Sequence, residues 1–155
     1  MKHFLIIVML LIIAGCNTSN PVSPISDTIQ SHNLQVTFSA PESSYGVHDT
    51  LVAATTAYNP GDTTVSFYVP NCWPTIWYSV QDSSGATKLS YAAPRYLDCA
   101  SVTGYSIPPH QSLKIFQLRI VVPIAELDTT KAPQGPYVLA VDNYFGTFSL
   151  KFAVK

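Results

Sequence analysis

The chain has 155 residues, which is room for one domain, and it carries a formal net charge of −1 with only 11% charged residues. Neither a nucleic acid nor an anionic membrane surface is indicated as a partner, because both attract clusters of Lys and Arg. An apolar content of 47%, with nine Tyr and seven Phe, is enough to build a core and argues against a disordered chain.

An apolar run at residues 4–13 follows a short positive start. Ten residues span only about 15 Å as a helix, half of a bilayer core, so the run predicts a signal segment rather than a membrane span. The small residues Ala14 and Gly15 then precede Cys16, and the stretch 13–16 resembles the bacterial lipobox. The resemblance implies that residues 1–15 are a lipoprotein signal peptide and that Cys16 is lipidated, with acyl chains such as palmitate. The alternative is an ordinary secretory signal with a chance cysteine.

The predicted location is therefore the cell envelope, with the lipid on Cys16 as a membrane anchor. Asn17 follows the cysteine and favours the outer membrane if the source is Gram-negative. Residues 16–31 are polar, contain two prolines and lack a sustained period, so we expect a flexible tether there. The remaining residues, 32–155, are expected to form the folded domain.

Alternating apolar residues and turn chemistry predict short strands throughout that domain. The predicted strands lie near 34–38, 49–58, 65–69, 76–80, 113–122, 137–141 and 148–154. The strand at 113–122 is dense enough to be buried on both faces for part of its length. Turns are predicted at 59–62 and 82–85, and a hairpin across 143–146. We expect an all-β fold, an antiparallel immunoglobulin-like β-sandwich of seven to nine strands, with a closed barrel as the alternative.

Two cysteines, Cys72 and Cys99, remain beside the lipidated one. An exported protein is expected to join them in a disulfide, which would stabilise the fold by roughly 3.5 kcal/mol in the chain-entropy model. Two separate buried thiols are the alternative. Neither cysteine has a partner at metal-ligand or redox-motif spacing, so no metal site is expected there.

The order of several motifs resembles the BsuPI-like domain, a family named after an intracellular proteinase inhibitor. These are a strand turn at 58–62 followed by 65–67, an Asp-x-x-Gly turn at 82–85, a Pro-Pro-His-Gln-Ser lead-in at 108–112 and a final hairpin beginning at 134–139. The resemblance covers about residues 33–150 and implies an immunoglobulin-like sandwich. The lead-in departs from the family's usual Gly-Glu at His110 and Gln111. No inhibitory contact residue maps onto the chain.

No enzyme is expected. The histidines His32, His48 and His110 lie at the tether boundary or in turns, where we expect solvated side chains, and most carboxylates sit in turns where Asp serves the backbone. Weak Ca²⁺ binding near Asp98, or at Glu126 and Asp128, is a minor alternative. Neither a nucleophile elbow nor a phosphate loop nor a dinucleotide fingerprint is present. We therefore expect no cofactor and no metal.

An aromatic stretch marks the expected binding residues: Trp73, Trp77, Arg95 and Tyr96. These residue types are enriched in binding hot spots, and a disulfide would gather Trp73, Arg95 and Tyr96 at one end of the sandwich. The alternative is that the rings pack on the core or on the disulfide. Trp77 is the stronger candidate for binding, because it lies opposite the strand face formed by residues 76, 78 and 80. We expect a non-catalytic protein that contacts an envelope or extracellular protein, including a proteinase as one version. A carbohydrate or small-ligand module is the second expectation.

Overall fold

A computed structural model of the chain describes residues 23–46, 49–70, 77–92, 102–121 and 135–155. In chain order the strands of these residues are β1 Ile25–Ser31, β2 Leu34–Ala40, β3 Ser44–Tyr45, β4 Thr50–Tyr58, β5 Val65–Pro70, β6 Trp77–Gln81, β7 Thr87–Ala92, β8 Val102–Ile107, β9 Ser112–Val121, β10 Gly135–Asn143 and β11 Gly146–Val154. No helix capable of crossing a membrane occurs within the described ranges.

Two sheets face each other across one core. The first has the order β1-β2-β4-β9 and the second the order β3-β11-β10-β6-β7, while β5 and β8 form a separate two-stranded ribbon. Paired strands are antiparallel except for the short β3–β11 pair. Phe38 and Phe148 meet across the sheets with ring centroids 5.8 Å apart. The predicted all-β, antiparallel, immunoglobulin-like sandwich is confirmed, and the described strands do not close into a barrel.

The core follows the alternation of the sequence. Every second residue of β2 and of β11 is buried, including Phe38 and Phe148 at 0% exposure. The residues between them are polar or small and face outward. Because successive side chains of a strand point to opposite faces, this pattern fixes which side of each strand faces the core.

The predicted tether is wrong over its last seven residues. Ile25–Ser31 is a strand that pairs with β2 along its whole length. Only Ile25 and Ile29 are apolar on its inward side, too few to give a sustained period. The strand is held instead by backbone pairing with β2 and by the Asp27 carboxylate. This carboxylate accepts a hydrogen bond from the Ser149 backbone N–H at 2.8 Å. The domain therefore begins at residue 25 or earlier.

Strand β9 also differs from its prediction, which was burial on both faces for part of its length. It is buried mainly on one face, and the alternation is interrupted once, at Ile115 and Phe116, which are both half-buried. The pairing with β4 shifts there, from Thr55–Phe116 to Thr56–Lys114. Ile115 is thus the extra residue of a β-bulge, which makes a one-faced strand read as a dense apolar run. The eleven described strands exceed the seven to nine expected, because the pattern did not predict β1, β3, β7 and β8 as strands.

One buried polar side chain joins two turns. Asn59 is 0% exposed, and its Nδ2 donates to the carbonyls of Thr63 at 2.8 Å and Ile107 at 2.9 Å. Its Oδ1 accepts from the Gly61 N–H at 3.0 Å. The Asn59 backbone also exchanges hydrogen bonds with His110 and Gln111. This residue therefore holds the turn after β4 against the connection between β8 and β9.

Tyr45 is the one side chain in the described part of the chain with a buried polar atom that lacks a hydrogen bond. Its ring packs on Phe152 and its hydroxyl comes near the Glu42 backbone without a hydrogen bond of ordinary geometry. Burial, followed by the negative charge of Glu42, raises the pKa of the phenol. The hydroxyl is therefore desolvated without full compensation.

Candidate binding surface

Among the residues expected to bind, the structure describes Trp77. It begins β6, pairs with Asp142 of β10, and is 46% exposed. Its neighbours Tyr78 and Val80 turn toward the core, as the alternation predicts. Trp73, Arg95 and Tyr96 lie outside the described residues, as do Cys16, Cys72 and Cys99. Their expected gathering beside a disulfide therefore stays a prediction.

A cluster of five rings, which we call the aromatic end, closes one end of the sandwich. It consists of His32, Phe67, Tyr105, Tyr144 and Phe145. His32 stacks on Tyr144 at 4.9 Å, and Phe67 stacks on Tyr105 at 5.4 Å and meets Phe145 edge-on at 5.5 Å. Three parts of the chain contribute to it: the β1–β2 turn, the ribbon and the β10–β11 turn. This cluster is not predicted by any pattern in the sequence.

Two tight turns hold these rings. His32 and Asn33, with φ of 55° and 61°, form the two-residue link between β1 and β2, as a type I′ hairpin turn requires. Tyr144 and Phe145 link β10 to β11, where the buried Asn143 accepts a hydrogen bond from the Phe145 N–H at 2.9 Å. Because both links are short and tied to their strands, the rings have little freedom to move.

The β5–β8 ribbon presents an exposed apolar side. Tyr68 is 69% exposed and Val102 is 56% exposed. Tyr68 pairs with Gly104, and its ring lies 3.2 Å from where a Gly104 side chain would begin. On the opposite side Phe67 and Val69 are buried. The exposure of Tyr68 could have been predicted, since it alternates with those two residues.

The strand register gives the domain two distinct ends. Ile25, where the preceding chain enters, pairs with Ala40, whereas the far end of β1 turns at His32. These ends are about 20 Å apart for a strand of this length. The contact of His32 with Tyr144 puts the β10–β11 turn at the same far end. The aromatic end therefore lies opposite the entry of the N-terminal chain.

His110 occupies a turn, as predicted, whereas His32, which was expected at the tether boundary, lies in the turn between β1 and β2. His32 is exposed, although it also stacks on Tyr144. His110 is exposed, and its Nε2 lies 3.1 Å from the Asp62 carboxylate in the neighbouring turn. His48 is outside the described residues. The His32 Nδ1 lies 2.8 Å from the Ser31 hydroxyl, whereas the Asp62 carboxylate pairs with the other described histidine, His110. A triad needs the hydroxyl and the carboxylate on one histidine, so none is assembled in this part of the chain.

The Asp82 carboxylate illustrates the structural use of acids in turns. Its Oδ1 accepts hydrogen bonds from the Ser84 hydroxyl at 2.6 Å and from the N–H groups of Ser84 and Ala86. Its Oδ2 lies 3.0 Å from the Lys88 ammonium. The Ser84 hydroxyl, then Lys88, hold the pKa of Asp82 well below its ordinary value. Because all these partners belong to the turn that contains Asp82 or to the strand that follows it, this shift reflects a well-formed turn rather than a catalytic acid.

Other acids also serve local structure. Asp27 binds the β11 backbone, Asp49 binds the Gly46 N–H, and Asp142 accepts a hydrogen bond from Thr147. Within the described ranges no group of three potential metal ligands occurs. The acids Asp98, Glu126 and Asp128 lie outside those ranges, so weak calcium binding there stays untested.

A stacked tyrosine pair lies near the β7 edge of the second sheet. Tyr78 and Tyr91 are cross-strand partners with ring centroids 5.4 Å apart. Burial, followed by the proximity of Tyr91, raises the pKa of Tyr78. Tyr91 is 45% exposed because β7 is the last strand of its sheet. Because Tyr78 turns toward the core, this pair lies on the face of the sheet opposite Trp77.

Comparison with known proteins identifies no family. No family model and no curated protein matches the chain. Among solved structures, it is similar to a β-glucosidase from Erythrobacter marinus, with a TM-score of 0.42, 12% identity, and coverage of 79% of this chain and 16% of that one. It is also similar to a Listeria innocua β-glucosidase mutant in complex with laminaribiose, with a TM-score of 0.40, 10% identity, and coverage of 84% of this chain and 16% of that one. The chain thus spans about a sixth of these proteins, and similarity at this level assigns neither a family nor an activity.

Proposed function

We propose that the chain is a non-catalytic lipoprotein of the cell envelope, whose sandwich domain binds a protein partner. Cys16 carries the lipid, and the ribbon and the aromatic end form the binding region. The proposal rests most on one observation, the placement of exposed apolar side chains away from the entry of the N-terminal chain. Tyr68 and Val102 share one face of the ribbon, and contiguous exposed apolar patches mark contact sites.

The distances fit this arrangement. Eight residues lie between Cys16 and Ile25, so the entry end lies within roughly 30 Å of the lipid. The aromatic end lies at the far end of β1, about 20 Å from this entry end. Phe67 brings the ribbon to the same end. A partner would meet these surfaces from the side that faces away from the membrane.

The absence of a catalytic role is supported by how the described titratable groups are used. The carboxylates of Asp27, Asp49 and Asp82 bind backbone N–H groups, and Asp62 pairs with His110. Such contacts hold turns and strand edges. Proteinase inhibition is one version of the proposed protein contact, supported by the resemblance to the BsuPI-like family.

Lipidation is tested with the Cys16→Ser variant in a bacterial host fed a clickable fatty acid. The wild type should take up the label and sediment with membranes, whereas the variant should lose the label and become extractable. Cys72→Ser serves as the matched control, because it removes a cysteine without touching the lipobox. Equal labelling of wild type and Cys16→Ser would refute the anchor.

The partner is sought by comparing two variants in crosslinked envelopes. Replacing Tyr68 and Val102 together with Ser removes the exposed apolar side of the ribbon, and we expect it to abolish recovery of a specific protein. Ser83→Ala, an exposed change in the turn at the entry end, should leave the recovery unchanged. Equal recovery with both variants would show that the ribbon does not bind.

Mass spectrometry of unreduced peptides should in addition find Cys72 joined to Cys99.

A further inference from the structure

The outer face of the five-stranded sheet has a composition unlike that of the ribbon. We call it the Trp77 face. It comprises the outward residues of β6, β10 and β11 nearest the aromatic end: Trp77, Ser79, Ala140, Asp142, Thr147 and Ser149. Its surface therefore combines one large ring with small and hydroxyl-bearing side chains.

The register places these side chains in cross-strand rows. Trp77, Asp142 and Thr147 form one row, because Trp77 pairs with Asp142 and Asp142 with Thr147. Neighbouring strands are about 4.8 Å apart, so the indole and the carboxylate stand side by side. The next row contains Ser79 and Ala140, whose small side chains leave space for a ligand beside the indole.

The carboxylate in this row is held in place and accessible. Asp142 is exposed, and one of its oxygens accepts a hydrogen bond from the Thr147 hydroxyl at 3.2 Å. A carboxylate has four lone-pair positions, so this one can accept further hydrogen bonds from a ligand. The described strands bring no basic side chain into the same row, since its members across β6, β10 and β11 are Trp77, Asp142 and Thr147.

We propose that the Trp77 face binds a neutral polysaccharide. A pyranose ring about as wide as the strand spacing stacks its C–H face on the indole, and one of its hydroxyls donates to Asp142. The hydroxyls of Ser79 and Ser149 form hydrogen bonds with the neighbouring sugar units. A neutral sugar suits the site, because an anionic one would be repelled by Asp142 and would find no cation in this row.

A protein or a second copy of the chain fits this face less well. Stable protein interfaces have an apolar core of several large side chains, whereas this face offers one, Trp77, among serines and an aspartate. The ribbon, with Tyr68 and Val102, is better suited to a protein. The two proposals therefore concern separate surfaces, and either can fail without the other.

Titration of the full chain with soluble oligosaccharides tests the site. The probes are hexamers of β-1,4-linked and β-1,3-linked glucose and a tetramer of β-1,4-linked N-acetylglucosamine, followed by tryptophan fluorescence and calorimetry. At least one should bind with a Kd of about 1 mM or below, and Trp77→Ala should weaken it at least about tenfold. Tyr68→Ala, on the ribbon, is the matched aromatic control and should leave the Kd unchanged.

A second variant guards against misfolding of Trp77→Ala. Asp142→Asn is an exposed, nearly isosteric change that still accepts the Thr147 hydrogen bond, and it should weaken the same sugar about five- to tenfold. Absence of binding by every probe at several times about 1 mM would refute the proposal. So would a Trp77→Ala variant that is folded by circular dichroism and binds as tightly as the wild type. Equal weakening by Tyr68→Ala would place the sugar elsewhere and also overturn it.

Discussion

Asn59→Ala should destabilise the domain substantially, because the Asn59 amide is buried and fully hydrogen-bonded. The change removes three side-chain hydrogen bonds and leaves the backbone bonds to His110 and Gln111 in place. The variant thus isolates the contribution of the amide. Since the side chain is fully buried, water cannot readily replace what is lost.

The magnitude follows from the separate contacts. Leaving the buried Ile107 carbonyl without this partner costs about 1–3 kcal/mol, and the partly buried contacts to Thr63 and Gly61 contribute about 0.5–1 kcal/mol each. The free energy of unfolding should therefore fall by about 3 kcal/mol. Asn59→Asp should cost still more at neutral pH, because it sets a charged acceptor against two carbonyls.

Urea denaturation of both variants and the wild type measures the effect. The midpoint should fall in Asn59→Ala with an unchanged slope, as expected for a change in stability alone. Asp62→Ala is the control in the same turn. Its exposed contact with His110 should contribute less than about 0.5 kcal/mol. A loss below about 1 kcal/mol in Asn59→Ala would refute the role assigned to the amide.

Three further predictions concern turns and the core. Ser84→Ala should raise the pKa of Asp82 toward its ordinary value, measured by carboxyl NMR. Because the folded pKa of Asp82 is lowered, its contribution to stability is complete above about pH 4 and is lost as the pH falls toward the folded pKa, so the variant should lose less stability over that acid range; an unchanged pKa would contradict this. Gly146→Ala, at φ +141° with the Ile29 Cδ1 at 3.0 Å from the new carbon, should cost at least about 1 kcal/mol more than Gly85→Ala, which has open space at φ +82°; equal losses in urea would show that neither feature matters. Tyr45→Phe should raise the free energy of unfolding by about 1 kcal/mol, since it removes a buried hydroxyl without a hydrogen bond, and a loss of that size would show that the hydroxyl is paired.

Strands with strong alternation could be predicted from the sequence. In β11 the residues Phe148, Leu150 and Phe152 are buried and those between them are not, as expected. Burial of one face dictates both the strand and its orientation there. β1 escaped prediction because its position depends on pairing with β2 and on the long-range contact of Asp27 with β11. No local pattern encodes that contact.

The candidate site was predictable only in part. The outward position of Trp77 follows from its place opposite Tyr78 and Val80. The aromatic end does not follow from any local pattern, because His32, Phe67 and Tyr144 are far apart in the chain. They meet only when the β1–β2 turn, strand β5 and the β10–β11 turn pack together. The same is true of the row that joins Trp77 to Asp142, since the partner of β6 is set by the sheet order.

Position-specific photo-crosslinking in intact cells tests the central claim, that a protein partner binds on the side away from the anchor. A benzophenone amino acid is placed at Tyr68 on the ribbon or, as the control, at Ser83 in the turn at the entry end. We expect one discrete adduct from position 68, absent when Val102 is also replaced with Ser, and no such adduct from position 83. The same adduct from both positions, or an adduct from position 83 alone, would contradict it.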